Sequence, residues 1–150
     1  MADGLEIILN PITGQVNEVP YDLPVPTLAE AKAARLADLA NIRWQHEVAG
    51  IVIPYNGQPV QIRTDREVRT ELYQAMGEAE KDDEFVWSFK MANAIWVRNV
   101  PAAAVLMVGS AVKAHIKACF DNELTLNDAI LAATSVEAVQ AIDLTVGWPG

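Results

Sequence analysis

A two-residue turn between two helical patterns constrains the fold of this chain more than any other feature. Two β-rich runs flank Asn56-Gly57, and an Asn-Gly pair in that setting is the strongest short-range signal for a tight β-hairpin. Gly50 follows a helical pattern at the position where helices commonly end. Thr64 and Glu67 have the spacing of a capping box at the start of another helix. We therefore expect a helix, a hairpin and a second helix in direct succession.

The first helix is expected to begin at Thr27, which has Glu30 three residues later and so repeats the capping-box spacing. Apolar residues then recur at helical intervals up to Gly50, which is typical of an amphipathic helix with one buried face. The members of that stripe are Leu28, Ala31, Leu39, Ile42 and Ala49.

The residues before this helix indicate an extended N-terminal arm. Apolar residues alternate with others over residues 5–9, Pro11 and Gly14 supply turn chemistry, and an extended pattern resumes up to residue 19. Three prolines at positions 20, 24 and 26 then disfavour a helix and favour a stiff, extended connection. We divide the chain into a β arm with a proline-rich linker at residues 1–26 and a helical domain at residues 27–150.

The second half predicts another hairpin and three more helices. Residues 85–90 and 94–97 are the candidate strands, with a turn at Ala92-Asn93. Asn99 is expected to cap a helix that has Pro101 in its first turn. Thr125 and Ser135 are expected to cap two shorter helices. The fold class is therefore α+β: a mainly helical domain with short antiparallel β-hairpins between helices, preceded by the arm.

Composition limits the classes of function. The chain has 150 residues and a net charge of −9, with 20 acidic and 11 basic residues, so it repels phosphate backbones and nucleic acid is not an expected partner. Cys119 is the single cysteine, which excludes an internal disulfide. We expect neither a membrane helix, because charged residues interrupt the apolar stretches, nor a secretory signal. Synthesis and residence in the cytoplasm follow, unless a larger particle carries the protein elsewhere.

No pattern in the sequence indicates a catalytic, metal or cofactor site. His115 and Cys119 are four residues apart, so on a helix they could share a metal or form an activated thiol. Because Cys119 lies in an apolar helical stripe, a buried structural thiol is the preferred interpretation, and a metal- or thiol-dependent enzyme is the alternative. The acidic residues between 78 and 84 lack the spacing of a calcium loop, so we interpret them as a solvated loop.

Aromatic and apolar residues offer a different candidate site, a protein-binding surface. Trp87 and Phe89 alternate on one strand, where they either pack in the core or form a binding face. Trp148 is two residues from the chain end, and docking within its own fold is favoured over contact with a partner. The arm could add a strand to a partner sheet. The candidate partner-binding residues are Leu5, Ile7, Leu9, Val16, Val19, Trp87, Phe89 and Trp148.

Three segments together resemble a domain found in tail and tail-fibre assembly proteins of tailed bacteriophages, a domain formerly of unknown function. The first is about residues 29–67, with Arg-Trp, the hairpin and Thr-Asp-Arg-Glu. The second is the aromatic strand around Val86-Trp87, and the third is residues 111–121 with Val-Lys-Ala-His and Cys-Phe-Asp. The chain departs from that family after the Asp-Arg pair, where Glu67 stands instead of a serine or threonine. The departure concerns a helix surface and leaves the fold expectation unchanged.

The resemblance implies a non-enzymatic phage tail protein that acts through protein–protein contacts. It would be either a structural tail, baseplate or fibre component or a chaperone of tail-fibre assembly. Its expected partners are tail-fibre or baseplate proteins, and a homo-oligomer remains open. The expected location is the host cytoplasm during assembly, with the virion tail as the alternative. The family has no established active site, so the resemblance assigns no catalytic residue and no cofactor.

Overall fold

A computed structural model of the chain describes residues 3–9, 16–91 and 93–150, with the backbone alone for 3–9 and 16–22. Within them lie four helices and three two-stranded antiparallel sheets, which confirms the predicted α+β class. The elements are β1 (Asp3–Leu9), β2 (Val16–Asp22), α1 (Leu28–Val48), β3 (Ile51–Tyr55), β4 (Gln58–Ile62), α2 (Arg66–Ala79), β5 (Val86–Lys90), β6 (Trp96–Pro101), α3 (Ala102–Ala132) and α4 (Val136–Ala141).

The N-terminal segment forms the hairpin β1–β2. Leu5 lies opposite Pro20 and Leu9 lies opposite Val16, so β2 runs past the predicted end at residue 19 and includes the first proline. Proline is tolerated there because both strands of a two-stranded sheet are edge strands. The turn predicted at Pro11 and Gly14 lies outside the described residues.

Local capping signals explain both ends of α1. The Glu30 N–H donates to Thr27 Oγ1 at 3.2 Å, and the Thr27 N–H donates to Glu30 Oε2 at 2.7 Å, so the predicted capping box is present. Gly50 follows the helix with φ +84°. A Cβ at this position would lie 2.9 Å from the Ile62 carbonyl oxygen, so glycine is needed both for the turn and for the close approach of β4.

The predicted hairpin turn is confirmed at Asn56-Gly57. The two residues have φ of +50° and +73°, and Tyr55 pairs with Gln58 across them. Positive φ at both central positions is the backbone of a type I′ turn, whose twist matches that of the paired strands.

The predicted cap of α2 is wrong by one residue. Asp65, rather than Thr64, is the N-cap, and its Oδ1 accepts from the Val68 N–H at 3.2 Å. Thr64 is fully buried. Its hydroxyl donates to the Glu47 carbonyl oxygen at 2.6 Å and accepts from the Gly50 N–H at 3.0 Å. The side chain therefore fastens the end of β4 to the end of α1 and is unavailable for a cap.

The helix predicted to start at Asn99 starts later. Asn99 lies within β6 with φ +54°, and its N–H donates to Ser88 Oγ at 3.0 Å. The pairing of β5 with β6 shifts register between Trp87 and Phe89, and this bulge accommodates the unusual backbone of Asn99. Pro101 is the N-cap of α3 and makes no side-chain capping bond. Of the predicted turn at Ala92-Asn93, Ala92 lies outside the described residues.

α3 is a single helix of 31 residues, so the helix predicted to begin at Thr125 does not exist. The Thr125 hydroxyl instead donates to the Asp121 carbonyl oxygen one turn earlier, at 3.0 Å, a bond that threonine makes inside helices. The second predicted cap is confirmed, because Ser135 Oγ accepts from the Ala138 N–H at 3.1 Å at the start of α4.

α3 joins two hydrophobic cores. Its first half packs with α2 and the hairpins β3–β4 and β5–β6 in what we call the hairpin core, around Leu72, Val105 and Val112. Its second half packs with α1 and α4 in the α1/α4 core, around Leu39 and Ile130. By length and composition alone α3 could cross a membrane, and a core helix of a soluble protein passes the same test.

Candidate functional site

The structure brings two of the predicted binding residues together in a groove beside β5. The rings of Trp87 and Phe89 stack with centroids 5.2 Å apart and planes inclined by 27°. Both side chains are half-buried against the hairpin core. They therefore serve the core and also present part of their surface to the groove.

This feature, which we call the aromatic groove, has a volume of about 180 Å³. The end of β4, one side of α2, part of β5 and single residues of β6 and α3 contribute its walls. Its lining residues are Ile62, Arg63, Val68, Glu71, Leu72, Trp87, Ser88, Phe89, Lys90, Trp96 and Val108.

An exposed tryptophan forms one rim of the groove. Trp96 pairs with Lys90 across the hairpin and is 52% exposed. The Lys90 ammonium lies 5.7 Å from the centroid of the indole ring, a cation–π contact that orients the ring. Val86 and Ile95 on the same hairpin are also exposed. Large apolar side chains left in solvent beside a groove are typical of a contact surface for another polypeptide.

The charged part of the lining is small and mixed in sign. Arg63 and Lys90 contribute positive charge and Glu71 contributes negative charge. Arg63 Nε also lies 2.9 Å from Asp65 Oδ2, in a pair that is partly exposed. The groove therefore combines space for an apolar side chain with two cations that a carboxylate could pair with.

Trp148 lies elsewhere, at the α1/α4 core. Its ring stacks on His46 with centroids 4.9 Å apart and planes inclined by 5°. Its Nε1–H donates to the Leu144 carbonyl oxygen at 2.7 Å. The C-terminal tryptophan thus docks within its own chain, and a role for it in partner binding stays a prediction. Partner binding by the arm residues Leu5, Ile7, Leu9, Val16 and Val19, which lie in β1 and β2, also stays a prediction.

A buried ionic cluster is the main feature that the sequence analysis missed. The Glu47 carboxylate is 1% exposed and accepts from Arg43 on its own helix and from Arg69 Nη2 on α2, the latter at 2.5 Å. Arg43 Nε donates to Glu123 Oε2 on α3 at 3.2 Å, and its guanidinium lies 4.7 Å from the centroid of the Phe120 ring. The cluster ties three helices together. Only the four-residue spacing of Arg43 and Glu47 was visible in the sequence.

The thiol and imidazole considered as an alternative site are buried in the packing of α3. Cys119 Sγ lies 3.8 Å from His115 Nε2, and that nitrogen lies 2.9 Å from the His46 carbonyl oxygen on α1. Burial raises the pKa of the Cys119 thiol, against the weaker lowering effect of Arg43 and Arg69, so the unreactive protonated form is favoured. Neither residue lines a cavity described for this part of the chain.

Of the acidic residues between 78 and 84, Glu78 lies in the last turn of α2 and the others follow the helix. All of them are exposed, and Glu78 pairs with Lys81 at 3.3 Å. Among the described residues, no group of three or more histidine, cysteine or acidic side chains is arranged to hold a metal ion.

Comparison with known protein families gives a match over residues 30–146, to a domain of unknown function, DUF4376. The chain belongs to the DUF4376 family. The DUF4376 region begins in the first turn of α1 and ends beyond α4, and it leaves out β1 and β2. It contains the hairpin core, the aromatic groove, the ionic cluster and the α1/α4 core except for Leu28 and Trp148. Searches of curated proteins and of solved structures gave no match.

Proposed function

We propose that this DUF4376 protein is a non-enzymatic tail protein of a tailed bacteriophage that acts by binding tail-fibre or baseplate proteins. The aromatic groove is the observation that carries the proposal, because it combines an apolar floor with a half-exposed tryptophan at its rim. The assignment to phage tails is supported by the resemblance of residues 29–67, the strand around Val86-Trp87 and residues 111–121 to tail and tail-fibre assembly proteins.

The chemistry of the groove suits recognition of a polypeptide. Its volume of about 180 Å³ is close to that of a cavity of about 150 Å³ that accommodates benzene, so it has room for one large apolar side chain. A tryptophan at the rim is the residue type most enriched among binding hot spots. The net charge of −9 would keep a complex with an aggregation-prone fibre protein in solution.

A pair of matched tryptophan variants tests this function. Trp96 and Trp44 are 52% and 51% exposed, but only Trp96 lines the groove. We expect the tagged wild-type protein, recovered from phage-infected cells, to carry a tail-fibre or baseplate protein identified by mass spectrometry. Trp96→Ala should lose that protein and Trp44→Ala should retain it.

Two results would contradict the proposal in different ways. If the wild-type protein captures no tail protein, the tail function is wrong. If both variants capture the tail protein as well as the wild type does, the partner binds elsewhere than in the groove. Quantifying the protein in purified particles then distinguishes the two versions of the function, since a transient chaperone is absent from virions and a structural component is present in fixed stoichiometry.

A further inference from the structure

We propose that the aromatic groove binds the N-terminal segment, residues 1–26, of a second copy of this chain, with one strand of that segment added along β5. The inference rests on the proposed function only in that both assign a polypeptide to this groove. It identifies one occupant of the aromatic groove, and it implies that the protein self-associates.

The groove runs along an open strand edge. Four consecutive residues of β5, at positions 87–90, line it. Successive side chains of a strand point to opposite faces, so a groove that all four residues line extends from the face that bears Trp87 and Phe89 to the edge of β5. Within the part of the chain that the structure describes, β5 pairs only with β6. Its other edge therefore has backbone N–H and C=O groups available for an added strand.

The N-terminal segment has the backbone and side chains that such an edge accepts. It already forms strands at Asp3–Leu9 and Val16–Asp22. Its sequence places apolar residues at alternate positions 5, 7 and 9, and the groove has space for one large apolar side chain above Leu72 and Val108. The segment precedes the DUF4376 match, so it lies outside the family domain.

The charges of the two surfaces are complementary. Residues 1–26 contain the four acidic residues Asp3, Glu6, Glu18 and Asp22 and no lysine or arginine. The charged groove residues Arg63, Lys90 and Glu71 sum to one positive charge, in a chain whose net charge is −9. Lys90 and Arg63 therefore offer an acidic strand two cations along the groove, of which Arg63 also contacts Asp65.

The length of the linker favours a second copy over the chain's own segment. The start of α1 lies beside the far end of α3, where Lys32 Nζ donates to the Leu131 carbonyl oxygen at 2.6 Å. Val108, at the groove, lies 23 residues earlier on the same helix, which is about 34 Å along the axis. Residues 23–27 span at most about 20 Å when fully extended. In its own chain only the ends of β1 and β2 at Leu9 and Val16 could approach the groove, with the linker stretched, whereas a neighbouring chain has no such limit.

The test uses the full chain and a labelled synthetic peptide of residues 1–26. We expect light scattering to show self-association that increases with protein concentration and is reversed by excess peptide. Fluorescence anisotropy should show saturable peptide binding that Lys90→Glu weakens at least about tenfold. Lys81→Glu is the matched control, because Lys81 is a well-exposed lysine that does not line the groove, and it should bind the peptide like the wild type. A peptide with its four acids replaced by amides should bind less tightly.

The inference is overturned if the full chain stays monomeric at high concentration, or if peptide binding is unchanged in Lys90→Glu and in Trp96→Ala. Trp96→Ala serves as the second variant, and circular dichroism establishes that both remain folded. If the protein does not self-associate, the proposed function is not affected, because capture of a tail protein that depends on Trp96 would still support it. Conversely, peptide binding in the groove would stand even if infected cells yield no tail protein.

Discussion

A single buried carboxylate organises the contacts among α1, α2 and α3. Glu47 is held by Arg43 and Arg69, and Arg43 also reaches Glu123. Two arginines and two glutamates leave the cluster neutral, which is the condition under which charges are tolerated in a protein interior. The main-chain carbonyl of the same residue accepts from Thr64. Side chain and backbone of Glu47 thus fix the position of the β3–β4 hairpin and of α2 relative to α1.

Removing the charge of Glu47 should destabilise the fold strongly. In Glu47→Gln, Arg69 loses its carboxylate and Arg43 keeps only Glu123, while both guanidinium groups stay about seven-eighths buried. Breaking a buried ion pair in this way costs about 3 kcal/mol. Urea unfolding followed by circular dichroism measures the change. Glu78→Gln is the control, because the exposed Glu78–Lys81 pair contributes less than about 0.5 kcal/mol. Equal stabilities of the two variants would show that the cluster is not a structural tie.

At the scale of the elements, the sequence predicted what local chemistry determines. Asn56-Gly57, Gly50 and the Thr27–Glu30 box all act within a few residues, and each was assigned correctly. Thr64 and Thr125 are of the residue type that commonly caps helices, but neither is a cap. The Thr64 hydroxyl donates to a carbonyl oxygen at the end of α1, and the Thr125 hydroxyl donates to one in the preceding turn of its own helix. Those partners follow from packing or from continuation of a helix, which residue spacing does not specify.

The candidate site was predictable only in part, for the same reason. Alternation along β5 indicated that Trp87 and Phe89 share a face. The walls that make this face a groove come from β4, α2 and α3, and no local pattern places those elements beside it. The Arg69–Glu47 contact likewise joins residues 22 positions apart.

The cap of α1 should respond to acid. Hydrogen bonds from the Thr27 N–H and hydroxyl lower the pKa of Glu30 below its ordinary value. Because the folded pKa is below the unfolded one, the box stabilises the helix start above the unfolded pKa, and this contribution is lost as pH falls through the folded pKa. Thr27→Val removes the hydroxyl and keeps the N–H, so it should raise the pKa of Glu30 part of the way toward its ordinary value. NMR titration of the carboxyl carbon measures this change. The pKa of Asp143, lowered by the Thr145 hydroxyl and N–H, should not change in that variant.

Two glycines test the close packing of α2 on α3. A Cβ at Gly109 would lie 1.9 Å from Met76 Sδ and 2.6 Å from its Cγ, so Gly109→Ala forces Met76 to move and should cost about 1–3 kcal/mol. A Cβ at Gly77, on α2, would meet nothing within 4 Å. Gly77→Ala should therefore stabilise the protein by about 0.5–1 kcal/mol through helix propensity. Thermal unfolding of both variants gives the comparison, and stabilisation by Gly109→Ala would contradict the described packing.

At the scale of the whole molecule, the end of the chain completes the α1/α4 core. Trp148 packs against that core and stacks on His46 of α1, although it lies just beyond the DUF4376 match. Trp148→Ala should cost about 2 kcal/mol, less than a fully buried tryptophan because the side chain is only partly buried. Trp44→Ala, which removes a half-exposed ring, should change stability by less than about 0.5 kcal/mol. Denaturant titration measures both, and equal losses would mean that Trp148 is not part of the fold.

The division of α3 between two cores has a consequence for synthesis on the ribosome. The hairpin core is assembled from residues that are close together in the chain, from β3 to the first half of α3, so it can form while the rest is still being made. The apolar face of α1 packs on the second half of α3 and on α4, which are made much later than α1. α1 therefore leaves the ribosome well before the residues that bury it, and a nascent chain carries an uncovered α1 until α4 has been made.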